Sequence, residues 1–190
     1  MDGLCRRMQA MRILALVILL LPFGLHAEDK LWEVLKQGGQ VVLVRHTITD
    51  PGVGDPPGMR LDDCTTQRNL SDEGRAHARR IGEAFRKRQV SVGRVLSSPW
   101  CRCVETAKLA FGRAEVAEPL SNLFGRPENR ERQMAAMKKL LLKTERNLVL
   151  VSHGSTISAL TGISPGTGEM VILAPGAGGS FTVRGRILLD

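Results

Sequence analysis

The stretch VVLVRHT, residues 41–47, runs four apolar residues directly into a cation and an imidazole. A short continuous apolar run is typical of a strand buried inside a parallel sheet. Paired glycines end the amphipathic segment LWEVLKQGG (31–39) before it, which predicts a short helix there. The sequence therefore predicts a strand over 40–45 whose carboxyl end carries Arg45 and His46.

Predicted strands and helices alternate along the rest of the chain. Ser71 is a good N-cap for the helix DEGRAHARRIGEAFRKR, which places Ala78, Ile81 and Phe85 on one face. The other predicted elements are strands at 92–98 and 146–154, helices at 99–111 and 126–143, and two closing strands in GEMVILAP and GGSFTVRGRILL. This alternation predicts an α/β fold, a three-layer α/β/α sandwich with a mainly parallel sheet.

Polar side chains follow three of the predicted strands. The strands end in RHT, SSPWCR and SHG, and the carboxyl ends of parallel strands share one edge of the sheet. We therefore expect Arg45, His46, Arg102 and His153 to gather there. Guanidinium groups match phosphate oxygens, and a neutral imidazole can attack phosphorus. The glycine fingerprints of nucleotide-binding loops are absent from the sequence.

These motifs carry a family resemblance. VLVRHT, SSPWCRCVETA and LVSHGSTI resemble the three ordered signatures of the histidine phosphatase superfamily, also called the phosphoglycerate mutase-like fold, and TTQRNLSDEGRAHARRIGEAF resembles the segment between the first two. The resemblance implies a metal-independent phosphatase without a cofactor. It implies that His46 is the phosphorylated nucleophile, that Arg45 and Arg102 hold the phosphate, and that His153 is the second histidine of the pocket.

The chain departs from the family pattern at two places. Thr47 replaces the usual glycine of the first motif, which is compatible with the fold and predicts a hydroxyl near the phosphate. Many relatives take a general acid from a Leu-x-Glu segment, and the corresponding position here is Asn122. A second branch of the superfamily carries its acid directly after the second histidine of the pocket, where this chain has Gly154 and Ser155. The remaining candidates for the acid are Glu118, Glu128, Glu131 and a carboxylate of the long loop at 48–69, such as Asp63. If no acid is present, a good leaving group such as a phosphohistidine, acyl phosphate or pyrophosphate is still compatible with hydrolysis.

Three other polar or aromatic residues have structural interpretations. His77 is predicted to lie on the surface of its helix. Glu105 is predicted to support Arg102 from one helical turn away. Trp100 is predicted to be a packing or lid residue.

The first 27 residues predict a signal peptide. They combine a basic start, an apolar run from Ile13 to Leu21 and a cleavage site after Ala27. The alternatives are an uncleaved N-terminal anchor and a buried helix, and Met8 or Met11 is an alternative start. A signal peptide predicts a periplasmic or secreted protein, in which residues 28–190 form one domain.

The cysteines that follow the predicted signal peptide in sequence are Cys64, Cys101 and Cys103. An odd number in an exported protein predicts one disulfide and one free thiol, with Cys64 bonded to either of the other two. Three reduced thiols are the alternative. The CRC spacing does not fit a zinc site, and no metal is predicted.

The chain is basic, with a formal charge of +8 that falls to +6 when the three arginines and one aspartate of residues 1–27 are removed. This charge favours anionic partners, and the absence of tyrosine and of any recognition motif argues against nucleic acid. The predicted function is hydrolysis of a phosphomonoester, either a small phosphorylated sugar or a lipopolysaccharide core phosphate at a membrane surface. The alternative is an acid-free envelope protein, either a phosphate binder without turnover or a phosphohistidine phosphatase. The sequence predicts neither the substrate nor the oligomeric state.

Overall fold

The computed structural model describes residues 27–141 and 144–189. The predicted signal peptide lies outside these residues, except for Ala27, with which the first helix begins. Within the described ranges, no helix is both long enough and apolar enough to cross a membrane.

Six strands form one sheet around the predicted first strand. They are β1 (Val41–Arg45), β2 (Val92–Ser97), β3 (Glu115–Val116), β4 (Asn147–Ser152), β5 (Met170–Pro175) and β6 (Phe181–Ile187). Their order is β3-β2-β4-β1-β5-β6. β1, β2, β3 and β4 pair in parallel, whereas β5 and β6 add to β1 as an antiparallel edge. The prediction of a mainly parallel sheet is confirmed.

Helices cover both faces of the sheet. They are α1 (Ala27–Lys36), α2 (Asp72–Lys87), α3 (Cys101–Phe111), α4 (Arg130–Lys138) and α5 (Gly154–Thr161). Val42 and Val44 of β1 pack with α1, α2 and α3 in one core cluster. Val41 and Leu43 point to the other face and pack with α4 and α5. Because side chains alternate along a strand, the uninterrupted apolar run of β1 supplies both cores of the three-layer sandwich.

Two helices differ from the prediction. The helix predicted at 126–143 is a 3₁₀ turn at Pro127–Asn129 followed by α4, which ends at Lys138. The chain then turns inward and buries Leu141. Helix α5 was not predicted, because its sequence GSTISALT is short and rich in serine and threonine, which favour helix ends over interiors.

The prediction that His77 lies on the surface is wrong. Its side chain is buried and packs against Gly168, where an added Cβ would lie 2.3 Å from the imidazole ring. Position 77 lies one turn before Ile81 and one turn after Gly74, both of which are buried. The buried face of α2 is therefore wider than the three apolar residues that defined it in the sequence.

Candidate active site

The ends of three parallel strands meet at one edge of the sheet. Arg45 at the end of β1 pairs with Ser152 at the end of β4. Beyond the strands, the His46 backbone N–H donates to Ser152 O at 2.9 Å, and the Ser98 backbone N–H donates to Val151 O at 2.9 Å. These hydrogen bonds continue the sheet register into the segments that carry the predicted site residues.

A cavity of about 520 Å³ opens at this edge. Arg45, His46, Arg102 and His153 all line it, so the structure brings together the four residues singled out in the sequence. The imidazole rings of His46 and His153 lie edge to face with their centroids 5.4 Å apart. Both side chains are almost fully buried, as is that of Arg102.

The imidazole of His46 is held in one tautomer. Its Nδ1 lies 2.9 Å from Thr47 O, and a carbonyl oxygen can only accept, so Nδ1 carries the proton and Nε2 keeps a lone pair. Burial, followed by the charges of Arg102 and Arg45, lowers the pKa of His46 to about 3. The ring is therefore neutral at physiological pH, which is the form required of a nucleophile.

The two nitrogens of the His153 imidazole have different surroundings. Its Nε2 lies 2.8 Å from Ser98 Oγ and 3.5 Å from Cys103 Sγ. Ser98 Oγ also accepts from the Trp100 backbone N–H, and when the Ser98 hydroxyl donates to Nε2 the ring proton of His153 lies on Nδ1. That Nδ1 is buried without a hydrogen-bond partner. Burial, His46 and the nearby arginines lower the pKa of His153 well below its ordinary value.

Four arginines line the cavity, and three of them, Arg45, Arg68 and Arg102, have terminal nitrogens that donate to partners nearby in the protein. The anchors are Pro165 O for Arg45, at 2.8 Å, Gly52 O for Arg68, at 2.7 Å, and the carboxylate of Asp55 for Arg102. The Nε atoms of all three are buried and lack a partner. Because an unsatisfied buried donor is costly, three such donors on one cavity indicate a site built for an anion.

The electrostatics of the cavity also favour a bound anion. Burial and the charge of Arg68 lower the pKa of Arg45, and burial and the charge of Arg102 lower that of Arg68. The guanidinium groups therefore repel one another, and a bound anion relieves that repulsion. Among the described residues, no aspartate or glutamate lines the cavity.

None of the candidates for a general acid lies in the cavity wall. Asp63 accepts hydrogen bonds from Thr65 and pairs with Arg60 on an exposed loop. The three glutamates, Glu118, Glu128 and Glu131, are also absent from the residues that line the cavity. Asn122, at the position where many relatives carry a glutamate, does line it, and its side-chain oxygen accepts from Ser155 Oγ at 2.9 Å.

Two further sequence predictions about the site are wrong. Glu105 pairs with Arg75 at 2.7 Å rather than supporting Arg102, because its side chain faces α2. The hydroxyl of Thr47 is fully buried and lies 3.3 Å from Thr106 Oγ1, so it faces α3 instead of the cavity.

The sequence reasoning also missed two residues of the loop at 48–69, Arg68 and Asp55. The signal for Arg68 was the TTQRN segment, which resembles the family but was not assigned a role. Asp55 had no signal, because its partners Trp100 and Arg102 are 45 and 47 residues away in sequence.

The structure forms one of the two predicted disulfides, between Cys64 and Cys101. Cys103 is free and buried, and burial raises its pKa to about 12. The bond ties the loop at 48–69 to the first turn of α3, next to Arg102. Within the part of the chain that the structure describes, no group of three or more histidine, cysteine or acidic side chains is placed to hold a metal ion.

Comparison with known proteins bears on the family and on the fold. Residues 41–122 match the family model of the histidine phosphatase superfamily (branch 1). The matched segment contains the first two of the three ordered motifs, so this comparison supports the resemblance to the histidine phosphatase superfamily. None of the curated proteins matches the sequence significantly.

Solved structures share the fold over most of their length. The protein histidine phosphatase SixA bound to tungstate is 19% identical with a TM-score of 0.54, covering 78% of this chain and 96% of that one. Mycobacterial glucosyl-3-phosphoglycerate phosphatase is 21% identical with a TM-score of 0.55, covering 77% and 97%. Phosphoserine phosphatase from Entamoeba histolytica, in complex with 3-phosphoglyceric acid, is 14% identical with a TM-score of 0.56, covering 80% and 98%. At these identities the likeness concerns the fold.

Proposed function

We propose that this protein is an exported, metal-independent phosphatase that hydrolyses a small phosphorylated substrate through a phosphohistidine on His46. One observation carries the proposal. Four buried nitrogens without partners, the Nε atoms of Arg45, Arg68 and Arg102 and Nδ1 of His153, belong to residues that line one cavity. A phosphoryl group bound in that cavity supplies acceptor oxygens to the side chains of these four residues.

The reaction runs in two steps. Nε2 of His46 attacks phosphorus, and the P–N bond forms as the bond to the leaving atom breaks with its electron pair. Thr47 O, which accepts from Nδ1, stabilises the positive charge that the ring gains. Water then attacks phosphorus, the P–N bond breaks with its electrons returning to Nε2, and inorganic phosphate leaves with one proton passing to solvent.

The cavity favours leaving groups that need no proton from a carboxylate. Its described lining holds no acidic side chain, whereas a positioned acid accelerates the departure of an ordinary alkoxide about 10²–10⁴-fold. Phosphohistidines, acyl phosphates and pyrophosphates leave without that help. A sugar phosphate or glycolipid phosphate at the envelope, which the basic chain also suits, would have to take the proton from water.

Trapping the phosphoenzyme tests the mechanism. Wild-type protein mixed with ³²P-labelled phosphoramidate is expected to retain an acid-labile, base-stable label, and His46→Gln is expected to retain none. Arg68→Ala should lower the labelling rate at least about tenfold. Arg60→Ala, which removes an exposed arginine of the same loop, is the matched control and should label normally. Turnover by His46→Gln at the wild-type rate would contradict the covalent route.

The missing acid can be supplied by mutation. Asn122→Glu places a carboxyl group at the position where many relatives carry one, and is expected to raise kcat/KM for an alkyl phosphate at least about tenfold, without a similar gain for phosphoramidate. Asn122→Gln, which has the same length without the acid, is the control. Equal gains for both substrates would contradict the assignment of the leaving-group preference.

A second candidate function is a phosphate-binding protein of the envelope that does not turn over substrate, which the absence of an acid from the described cavity lining also favours. Wild-type protein that binds tungstate but neither labels nor hydrolyses phosphoramidate would support this alternative.

Export is part of the proposal. The signal-peptide pattern of residues 1–27 supports it, and so does the disulfide between Cys64 and Cys101, since such bonds persist in oxidising compartments. Expression of the full chain in a Gram-negative host, with fractionation and mass analysis of the product, is expected to give a periplasmic protein that begins after Ala27. A full-length cytoplasmic product would contradict export.

A further inference from the structure

Asp55 does not line the cavity but lines an adjoining pocket with Trp100 and Asn122, and its carboxylate has no part in the proposed chemistry. It accepts from Nη1 and Nη2 of Arg102, from Trp100 Nε1 at 3.0 Å and from the Arg68 backbone N–H at 3.3 Å. Its side chain is 10% exposed and that of Arg102 is 1% exposed. Burial by itself raises the pKa of Asp55, but the hydrogen bonds from Arg102 and Trp100 hold it below the ordinary value. The carboxylate is therefore ionised and saturated with donors.

Such a carboxylate can act on a phosphate-binding arginine in two opposite ways. It can compete with phosphate for the guanidinium, or it can fix the guanidinium in the orientation that phosphate needs. The structure separates the two edges of Arg102. Asp55 holds the Nη edge and does not line the cavity, whereas Nε has no partner and Arg102 does line it.

The same carboxylate also links Arg102 to Arg68, a second arginine of the cavity. Arg102 Nη1 donates to Arg68 O at 3.3 Å, while Asp55 accepts from the backbone N–H of Arg68. The charge of Asp55 raises the pKa of Arg68, against the lowering by Arg102. Asp55 therefore offsets the repulsion between two guanidinium groups that converge on one site.

We infer that Asp55 is a positioning residue, which holds Arg102 with its Nε edge toward the phosphoryl group and keeps Arg68 beside it. The inference rests on the proposed phosphate site. Asp55 acts through Arg102 and does not touch the reacting atoms, in contrast to the general acids of other phosphatases. The loop at 48–69 thereby places one carboxylate against Arg102 and Trp100.

The sign of one binding change distinguishes positioning from competition. Asp55→Asn makes the cavity more positive, so a competing carboxylate predicts tighter binding of an oxyanion. Positioning predicts weaker binding in spite of the added charge, by about tenfold or more, because a misplaced donor loses its hydrogen bond. Isothermal titration with tungstate measures this change without requiring turnover. Asp62→Asn, an exposed carboxylate of the same loop, is the matched control and should bind as wild type does.

A double-mutant cycle tests whether Asp55 acts through Arg102. In an Arg102→Ala background, Asp55→Asn is expected to change the tungstate Kd less than twofold, because its target is gone. Additive losses would show a general structural effect and would overturn the inference. Asp55→Glu keeps the charge but moves it, so its Kd should lie between those of wild type and Asp55→Asn. If Asp55→Asn does not fold, a Kd for Asp55→Glu at or below the wild-type value overturns the inference.

Trp100 supplies a spectroscopic signature of the same contact. The chain has two tryptophans, so Trp32→Phe leaves Trp100 as the sole fluorophore, with its Nε1 on Asp55. Tungstate is expected to shift its emission in this background, and Asp55→Asn to shift the unliganded spectrum. Failure of the proposed function is distinguishable from failure of this inference. Wild type that binds tungstate without forming a phosphoenzyme refutes only the phosphatase, and unchanged tungstate binding by Asp55→Asn refutes only the role of Asp55.

Discussion

The imidazole of His46 illustrates how a strand end can prepare a side chain for chemistry. Strand pairing fixes its backbone, since its N–H donates to Ser152 O. The next carbonyl in the chain, Thr47 O, fixes its tautomer. Burial and the surrounding arginines then keep the ring neutral. Three separate physical effects therefore leave one lone pair, on Nε2, available for reaction.

This environment predicts the titration of His46. Because its pKa is lowered to about 3, the ¹³Cε1 signal of His46 is expected to stay at its neutral position from pH 8 to pH 5. In ¹³C-histidine-labelled protein, the resonance that is absent from the spectrum of His46→Gln is assigned to His46. The same histidines in urea, which titrate near 6.5, serve as the reference. A native titration with a midpoint above pH 5.5 would contradict the described environment.

Individual residues were predictable where the sheet topology determined their place. Arg45, His46, Arg102 and His153 all lie at or next to the carboxyl ends of parallel strands, so alternation of strands and helices was enough to bring them together. Asp55 has no such constraint, because its position depends on how a long loop folds back. Contacts of that kind have no periodicity to read in a sequence.

The loop at 48–69 is attached to α3 by a covalent bond and by hydrogen bonds. The disulfide joins Cys64 to Cys101 across 37 residues of sequence. Next to it, Gln67 Oε1 accepts from the Cys101 backbone N–H at 2.9 Å. These contacts place the loop beside Arg102, so the disulfide stabilises both the fold and the wall of the cavity.

Removal of the disulfide is expected to reduce stability. For a closed loop of this length, the chain-entropy model gives about 4 kcal/mol at 25 °C as the contribution of the bond. Urea unfolding of the double variant Cys64→Ser/Cys101→Ser should therefore show a loss of roughly 2–4 kcal/mol, and reduced wild type should match it. An unchanged unfolding midpoint would mean that the hydrogen bonds of the loop hold it without the bond.

The close contact between α2 and α3 leads to a second prediction about stability. Gly82 of α2 faces Ala110 of α3, and a Cβ at position 82 would lie 2.0 Å from Ala110 O. Gly82→Ala is expected to destabilise the protein by roughly 1–3 kcal/mol through this overlap, although alanine favours a helix by about 1 kcal/mol over glycine. The exposed neighbour Glu83→Ala is the control, with a change within about 0.5 kcal/mol. A gain in stability for Gly82→Ala would contradict the packing.

Long elements with strong patterns were predictable, and short ones were not. β1, β4 and α2 have continuous apolar runs or a clear apolar face, so their existence and approximate ends followed from the sequence. α5 and the two-residue β3 exist because of tertiary contacts. β3 pairs with the end of β2, and α5 buries Ile157 against the second core. Local propensity is too weak to specify elements of that size.

The molecule as a whole buries its three described histidines in neutral form. Desolvation is the largest cause of the lowered pKa values of His46, His77 and His153. Two of them line the cavity, and the third packs against Gly168, whose backbone N–H donates to the carbonyls of Arg45 and His46. Burial of these three histidines therefore makes the stability of the fold depend on pH.

This burial predicts the pH dependence of stability. Below about pH 6.5 the unfolded chain binds protons at these histidines and the folded chain, in which their pKa values are lowered, binds fewer, so the free energy of unfolding falls as pH falls. Each histidine contributes a slope of up to about 1.4 kcal/mol per pH unit. Asp55 and Glu169, whose pKa values are lowered, contribute only below about pH 4.5. Urea unfolding between pH 7 and 5 isolates the histidine part. His46→Gln is expected to reduce this slope by up to about 1.4 kcal/mol per pH unit, and an identical slope for wild type and variant would show that the pKa of His46 is the same in the folded and the unfolded chain.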